Sequence, residues 1–117
     1  MHNFKELKVW QKSVDLAVDT YYLTKYFPSE ERFGLVQQIN RSAVSVASNI
    51  AEGAGRNNFK EFNNFLGIAS GSSCELETQY IIAHRIGLID SNDFEVITSN
   101  VNEIQKMIFK LQQSLPI

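Results

Sequence analysis

A chain of 117 residues has room for one domain around one core and not for a second domain of ordinary size. Apolar residues at 44% and charged residues at 21%, with only two prolines, exclude extended disorder and leave room for long helices. A formal net charge of −2 excludes the global positive field that holds a phosphate backbone, so any nucleic-acid contact must rest on a local patch.

The N-terminal run Met1-His2-Asn3-Phe4-Lys5-Glu6-Leu7-Lys8 mixes charged and apolar residues and lacks the apolar stretch of a secretion signal. From about Phe4 to Tyr26, Leu7, Trp10, Val14, Ala17, Val18 and Tyr21 recur at steps of mainly three and four, which predicts a first amphipathic helix buried along those positions. Phe27-Pro28 ends it, because proline disfavours helical geometry in the residue before it. Ser29 followed by Glu30 and Glu31 predicts the start of a second helix, since a hydroxyl cap and early acids suit a helix N-terminus. Its apolar face is Leu35, Val36, Ile39, Ala43, Val46, Ala47 and Ile50, and it is expected to end in a left-handed glycine at Gly53 or Gly55.

Asn58 with Glu61 three residues on reads as a capping box for a third helix reaching about Ile86. Phe59, Phe62, Leu66, Ala69, Ser73, Leu76, Tyr80 and Ala83 form its inner face at alternating spacings of three and four. Gly67 and Gly71 lie within it, each costing roughly 1 kcal/mol relative to alanine, and the expected compensation is close approach of another helix. Gly87 offers a C-cap, Asp90-Ser91-Asn92-Asp93 starts a fourth helix, and Phe94, Ile97, Val101, Ile104, Ile108, Leu111 and Leu115 continue the apolar spacing to Pro116. No window alternates as a strand does. The fold class is therefore all-α, and four long helices with short connections predict an antiparallel up-down-up-down four-helix bundle forming a single domain over residues 1–117.

The chemical candidates are few. Gly53, Gly55 and Arg56 follow a helix rather than a strand and lack the Gly-Lys-Ser/Thr ending of a phosphate loop, so the helix-cap reading is favoured. His84 has no acid one helical turn away and no Glu-x-x-His partner, which argues against a metal site and for a surface or interface histidine. Cys74, the sole cysteine, excludes an intrachain disulfide and reads as a small buried hydrophobe with no histidine placed to activate it. No uncharged run approaches the roughly 18 residues of a membrane span, so the expectation is a cytoplasmic protein without membrane contact. No catalytic, cofactor-binding or metal-ligating residue is expected.

Two constellations remain. Arg41, Asn49, Glu52 and Arg56 fall on a polar stripe of the second helix, with Glu75 and Glu77 on the third. They are either a solvated face or a structural network that hydrogen-bonds between helices or subunits. Lys5, Lys8, Lys12, Arg41, Arg56 and Lys60 are the cations on which RNA or DNA would sit, interleaved with acids that suit an ordinary charged surface equally well.

Gln38-Ile39-Asn40-Arg41-Ser42-Ala43-Val44-Ser45-Val46, then Asn49-Ile50-Ala51-Glu52-Gly53 and Arg56, resembles the signature of the 23S rRNA intervening-sequence proteins. Leu7-Lys8-Val9-Trp10, Phe27-Pro28-Ser29-Glu30-Glu31, Ala69-Ser70-Gly71-Ser72 and Glu75-Leu76-Glu77-Thr78 extend the likeness over almost the whole chain, and in this order the combination is specific. The resemblance implies a left-handed four-helix bundle that assembles as a homopentameric ring without established enzymatic activity. A related group, the accessory proteins of diversity-generating retroelements, forms similar pentameric barrels that bind nucleic acid and a reverse transcriptase, so the partners it implies are further copies of the chain, RNA or DNA, and a protein.

Overall fold

The computed structural model describes residues 3–117 and, among them, four α-helices: α1 (Lys8–Thr24), α2 (Leu35–Ala54), α3 (Phe59–Arg85) and α4 (Ser91–Ser114). Met1 and His2, which open the N-terminal segment read above, lie outside the described residues. α1 packs on α2 and α4, and α3 packs on the same two, so the helices run in chain order around an antiparallel bundle measuring 45 × 23 × 20 Å. No strand occurs among the described residues.

The connections show where local chemistry decides. Asn58 Oδ1 accepts the Glu61 backbone N–H at 2.8 Å while Asn58 Nδ2 donates to Glu61 Oε2 at 2.7 Å, so the predicted capping pair forms, closed through both side chains. Asp90 Oδ1 caps α4 by accepting the Asp93 N–H at 2.8 Å. At the end of α3 the Leu88 N–H donates to the Ala83 carbonyl and the Gly87 N–H to that of His84, a Schellman ending that needs the left-handed φ of +83° that Gly87 supplies.

Three expectations are corrected. The first helix does not begin at Phe4: Phe4–Glu6 form a 3₁₀ turn, Leu7 is extended (φ −74°, ψ 120°), and α1 stops at Thr24. Ser29–Glu31 form another 3₁₀ turn rather than the start of α2, which begins at Leu35 behind Gly34. Neither Gly53 nor Gly55 is left-handed. Gly53 lies inside α2 and Gly55 follows it with φ −80°.

The buried face of α1 is also displaced. Val9, Ser13, Leu16, Thr20 and Thr24 are buried, one residue or about 100° around the helix from the expected face, of which Leu7, Trp10 and Ala17 pack partly buried against the core while Val18 and Tyr21 are exposed. The cause is that three core positions carry hydroxyls with partners. Ser13 donates to the Val9 carbonyl at 2.7 Å, Thr24 reaches Asn40 Oδ1 at 3.0 Å, and Thr20 Oγ1 accepts the Tyr80 hydroxyl at 2.7 Å across the bundle. The faces of α2, α3 and α4 follow the predicted spacing, with Ile39, Val46, Ile50, Phe62, Leu66 and Ile104 almost wholly enclosed in one continuous core.

Among the described residues, a methyl group built on Gly71 would meet nothing within 4 Å, and on Gly67 only the end of Gln112 at 4.0 Å, so no described helix approaches them closely. Gly71→Ala is therefore expected to stabilise the chain by about 0.5–1 kcal/mol through helix propensity. Urea denaturation checks this, and a loss of stability would contradict an uncovered α3 face.

Candidate interaction surface

The end of α2 and the start of α3 are tied by Arg56. Its guanidinium lies 4.8 Å from the centre of the Phe65 ring, 3.4 Å from Glu52 Oε2 and 3.6 Å from Glu61 Oε1, while its Nε is buried without a hydrogen-bond partner among the described residues. These half-exposed ion pairs contribute roughly 0.2–1 kcal/mol each, and together with the stacking they hold Arg56 against its own chain.

The other stripe residues separate. Asn49 Nδ2 donates to the Ser45 carbonyl and hydroxyl at 2.8 and 3.0 Å, and Ser45 shares a 2.8 Å hydrogen bond with Ser72 of α3. Glu77 accepts from Gln105 Nε2 of α4 at 3.1 Å. Arg41 and Glu75 are exposed and make no side-chain hydrogen bond or ion pair with the described residues. The six polar candidates thus fall into an α2–α3 clasp containing Glu52 and Arg56, an α2 bond at Asn49, an α3–α4 bond at Glu77 and two free charges. Small residues on α2 do let α3 approach, with Ser45 and Gly53 at the contact.

Of the six candidate cations, Lys12 is bound to Glu103 of α4 and Arg56 to its two glutamates. Lys5, Lys8, Arg41 and Lys60 are exposed, with no side-chain partner among the described residues. Cys74 is exposed rather than buried, its sulfur 4.0 Å from Gln105 Nε2. His84 stacks on Phe94 with ring centres 4.2 Å apart and lies 3.2 Å from the Ser91 hydroxyl, joining the end of α3 to the start of α4. Among the described residues no group of three or more His, Cys, Asp or Glu side chains is placed to hold a metal ion, and no helix is long and apolar enough to cross a membrane.

Both flanks of α1 carry clefts that the sequence reading missed. On the α2 side a cleft of about 530 Å³ is lined by Tyr21, Arg32, Phe33, Val36, Arg41 and Val44 among others, and its charged members are both arginines. Phe33 is 81% exposed, with the Arg32 guanidinium 5.4 Å from its ring centre. On the α4 side two adjoining grooves of about 220 and 280 Å³ share Asp19 and Asn100. The larger is walled by Tyr22, Leu23, Val96 and Ile97 between Asp19 and Asp93; the smaller adds Asp15, Glu103 and Lys12. The available signal was the pair Tyr21-Tyr22, whose members sit about 100° apart on a helix and so cannot share one buried face.

The chain is similar to known proteins. The family described as 23S rRNA-intervening sequence protein matches residues 5–110. Among solved structures, the chain is similar to a protein of unknown function from the S23 ribosomal protein family of Bacteroides thetaiotaomicron, at 29% identity over 91% of this chain and 96% of that one, with a TM-score of 0.85. No curated protein matches.

Proposed function

The chain belongs to the 23S rRNA-intervening sequence protein family, and on that premise we propose that it is a non-catalytic cytoplasmic protein that assembles with copies of itself into a homopentameric ring and serves as a scaffold for an RNA or protein partner. The observation that carries this is the uncovered apolar surface beside α1. Phe33, Tyr21 and Val44 on one flank, and Tyr22 and Val96 on the other, stand exposed on a single chain whose core is already closed, and apolar exposure grouped in this way marks contact surfaces. Light scattering of the purified protein tests it. The expected mass is five times the 13.3 kDa of one chain, and a monomer at micromolar concentration would overturn the reading.

Nucleic-acid contact through a local patch is the second reading, favoured by the exposed and unpaired side chains of Lys5, Lys8, Arg41 and Lys60. A labelled ribosomal RNA fragment should then bind with an affinity that falls steeply as salt rises, and Lys60→Glu should weaken it. Absence of binding at low salt rejects this reading.

A further inference from the structure

We propose that the contact between neighbouring copies is head-to-tail, the arginine-bearing α1–α2 flank of one chain docking, through Phe33, on the acidic grooves of the α1–α4 flank of the next. This rests on the self-assembly reading above and names the surfaces that carry it.

Two properties of the clefts point to a second copy as the occupant. The first is charge. Among the described residues, Arg32 and Arg41 are the only charged ones lining the α2-side cleft, whereas the α4-side grooves hold Asp15, Asp19, Asp93 and Glu103 against a single cation, Lys12, which Glu103 already engages. Lys25 lies outside these linings, 5.5 Å from the Tyr22 ring centre, and Glu30 and Glu31 belong to the turn preceding Arg32. Opposite signs facing each other steer association and penalise the like-charged pairing of two identical flanks.

The second is shape. Phe33 projects from the turn before α2 at 81% exposure, and the groove walled by Tyr22, Leu23, Val96 and Ile97 has a volume of about 280 Å³. A cavity of about 150 Å³ already accommodates benzene, so the groove has room for the Phe33 ring, with Asp19 and Asp93 on its rim for Arg32. The knob lies near the start of α2 and the groove near the end of α1 and the start of α4, which antiparallel packing brings to the same end of the bundle. A knob and a groove on different faces of one chain make a heterologous contact, the type that closes into a ring when its rotation permits and does not stop at a two-fold dimer. α3 packs on α2 and α4, on the far side of the bundle from α1, so the Gly67–Gly71 face lies outside this contact.

The test measures light-scattering mass and far-ultraviolet helix signal at one concentration for the full chain, Phe33→Glu, Arg32→Asp, Asp19→Arg and the double variant Arg32→Asp with Asp19→Arg. All three sites are exposed, so the helix signal should persist throughout. The expected result is an assembled wild type, single variants whose mass falls toward 13.3 kDa, and recovery of the assembled mass in the double variant. An assembled wild type whose mass survives every single variant overturns this contact and leaves self-assembly standing. A monomeric wild type overturns both. A monomeric wild type that retains labelled RNA, with retention lost in Arg32→Asp, assigns the arginine cleft to phosphates and likewise overturns the contact.

Discussion

Gly53→Ala is expected to destabilise the protein by about 3 kcal/mol, the upper part of the range for overpacking a close contact, and to lower its melting temperature by roughly 10 °C. A methyl group there would sit 2.7 Å from Phe65 Cβ, 3.0 Å from Phe62 Cδ1 and 3.2 Å from the Phe62 carbonyl oxygen. Rotamer changes cannot relieve this, because a Cβ atom and a carbonyl oxygen move only with the backbone that bears them. α2 and α3 must part at this crossing, which opens the enclosure of Ala54 and Phe62 and disturbs the Arg56 stack on Phe65. Gly55→Ala is the control. Its methyl group would meet nothing closer than 3.6 Å and its φ is −80°, so its melting temperature should stay near the wild-type value or rise. Thermal and urea denaturation followed by circular dichroism, at one fixed protein concentration, distinguish the two. If Gly53→Ala melts with the wild type, the close approach of α2 to α3 is refuted.

The same glycine shows why part of the fold was legible in the sequence and part was not. Glycine serves a chain either by adopting positive φ or by lacking a side chain, and one letter stands for both uses. At Gly87 the cap formers that follow it made the first use readable. At Gly53 the second use depends on Phe62 and Phe65 of another helix, which the α2 sequence alone does not announce. The inner faces of α2, α3 and α4 were readable because their core positions are mostly aliphatic or aromatic at helical spacing. α1 was misread by one position because Ser13, Thr20 and Thr24 are polar by letter and become core residues only through partners elsewhere.

The candidate site divides in the same way. Arg56 lies four residues after Glu52 and five before Glu61, near enough in sequence for these pairings to be suspected. Glu77 and Gln105, 28 residues apart, meet only because α4 returns alongside α3. The grooves beside α1 are a property of two helix pairs, and a helical wheel of one segment cannot show which of its sides a neighbour leaves open. Once α1 is rotated to its observed setting, Tyr21 and Tyr22 fall on opposite flanks and the surface for contact follows.

Replacing Tyr80 with phenylalanine is expected to cost about 1–3 kcal/mol at neutral pH, the penalty for leaving a buried polar group unpaired. Tyr80 and Thr20 are both fully buried, and the 2.7 Å bond from the phenol to Thr20 Oγ1 links α1 to α3 through the centre of the bundle. Deleting only the phenolic hydroxyl strands the Thr20 oxygen; adding Thr20→Val removes the orphan and should recover much of the loss, so the two changes must be strongly non-additive. The phenol also sets an alkaline limit. Burial pushes its pKa well above the ordinary value of 10.0, the nearby Asp19 carboxylate adds to the rise, and the Thr20 hydroxyl, able to turn and donate to a phenolate, offsets part of it. The unfolded chain therefore releases this proton first as pH rises past about 10, and the native state binds more protons above that point. Its contribution is intact below pH 10 and is lost at about 1.4 kcal/mol per pH unit as the pH climbs toward the folded-state pKa. Urea midpoints measured from pH 7 to 11 should fall more steeply for the wild type than for Tyr80→Phe. Parallel curves for the two proteins would show that the phenol is not sealed in the core, and additive costs in the Thr20 cycle would show that the bond across the bundle does not hold.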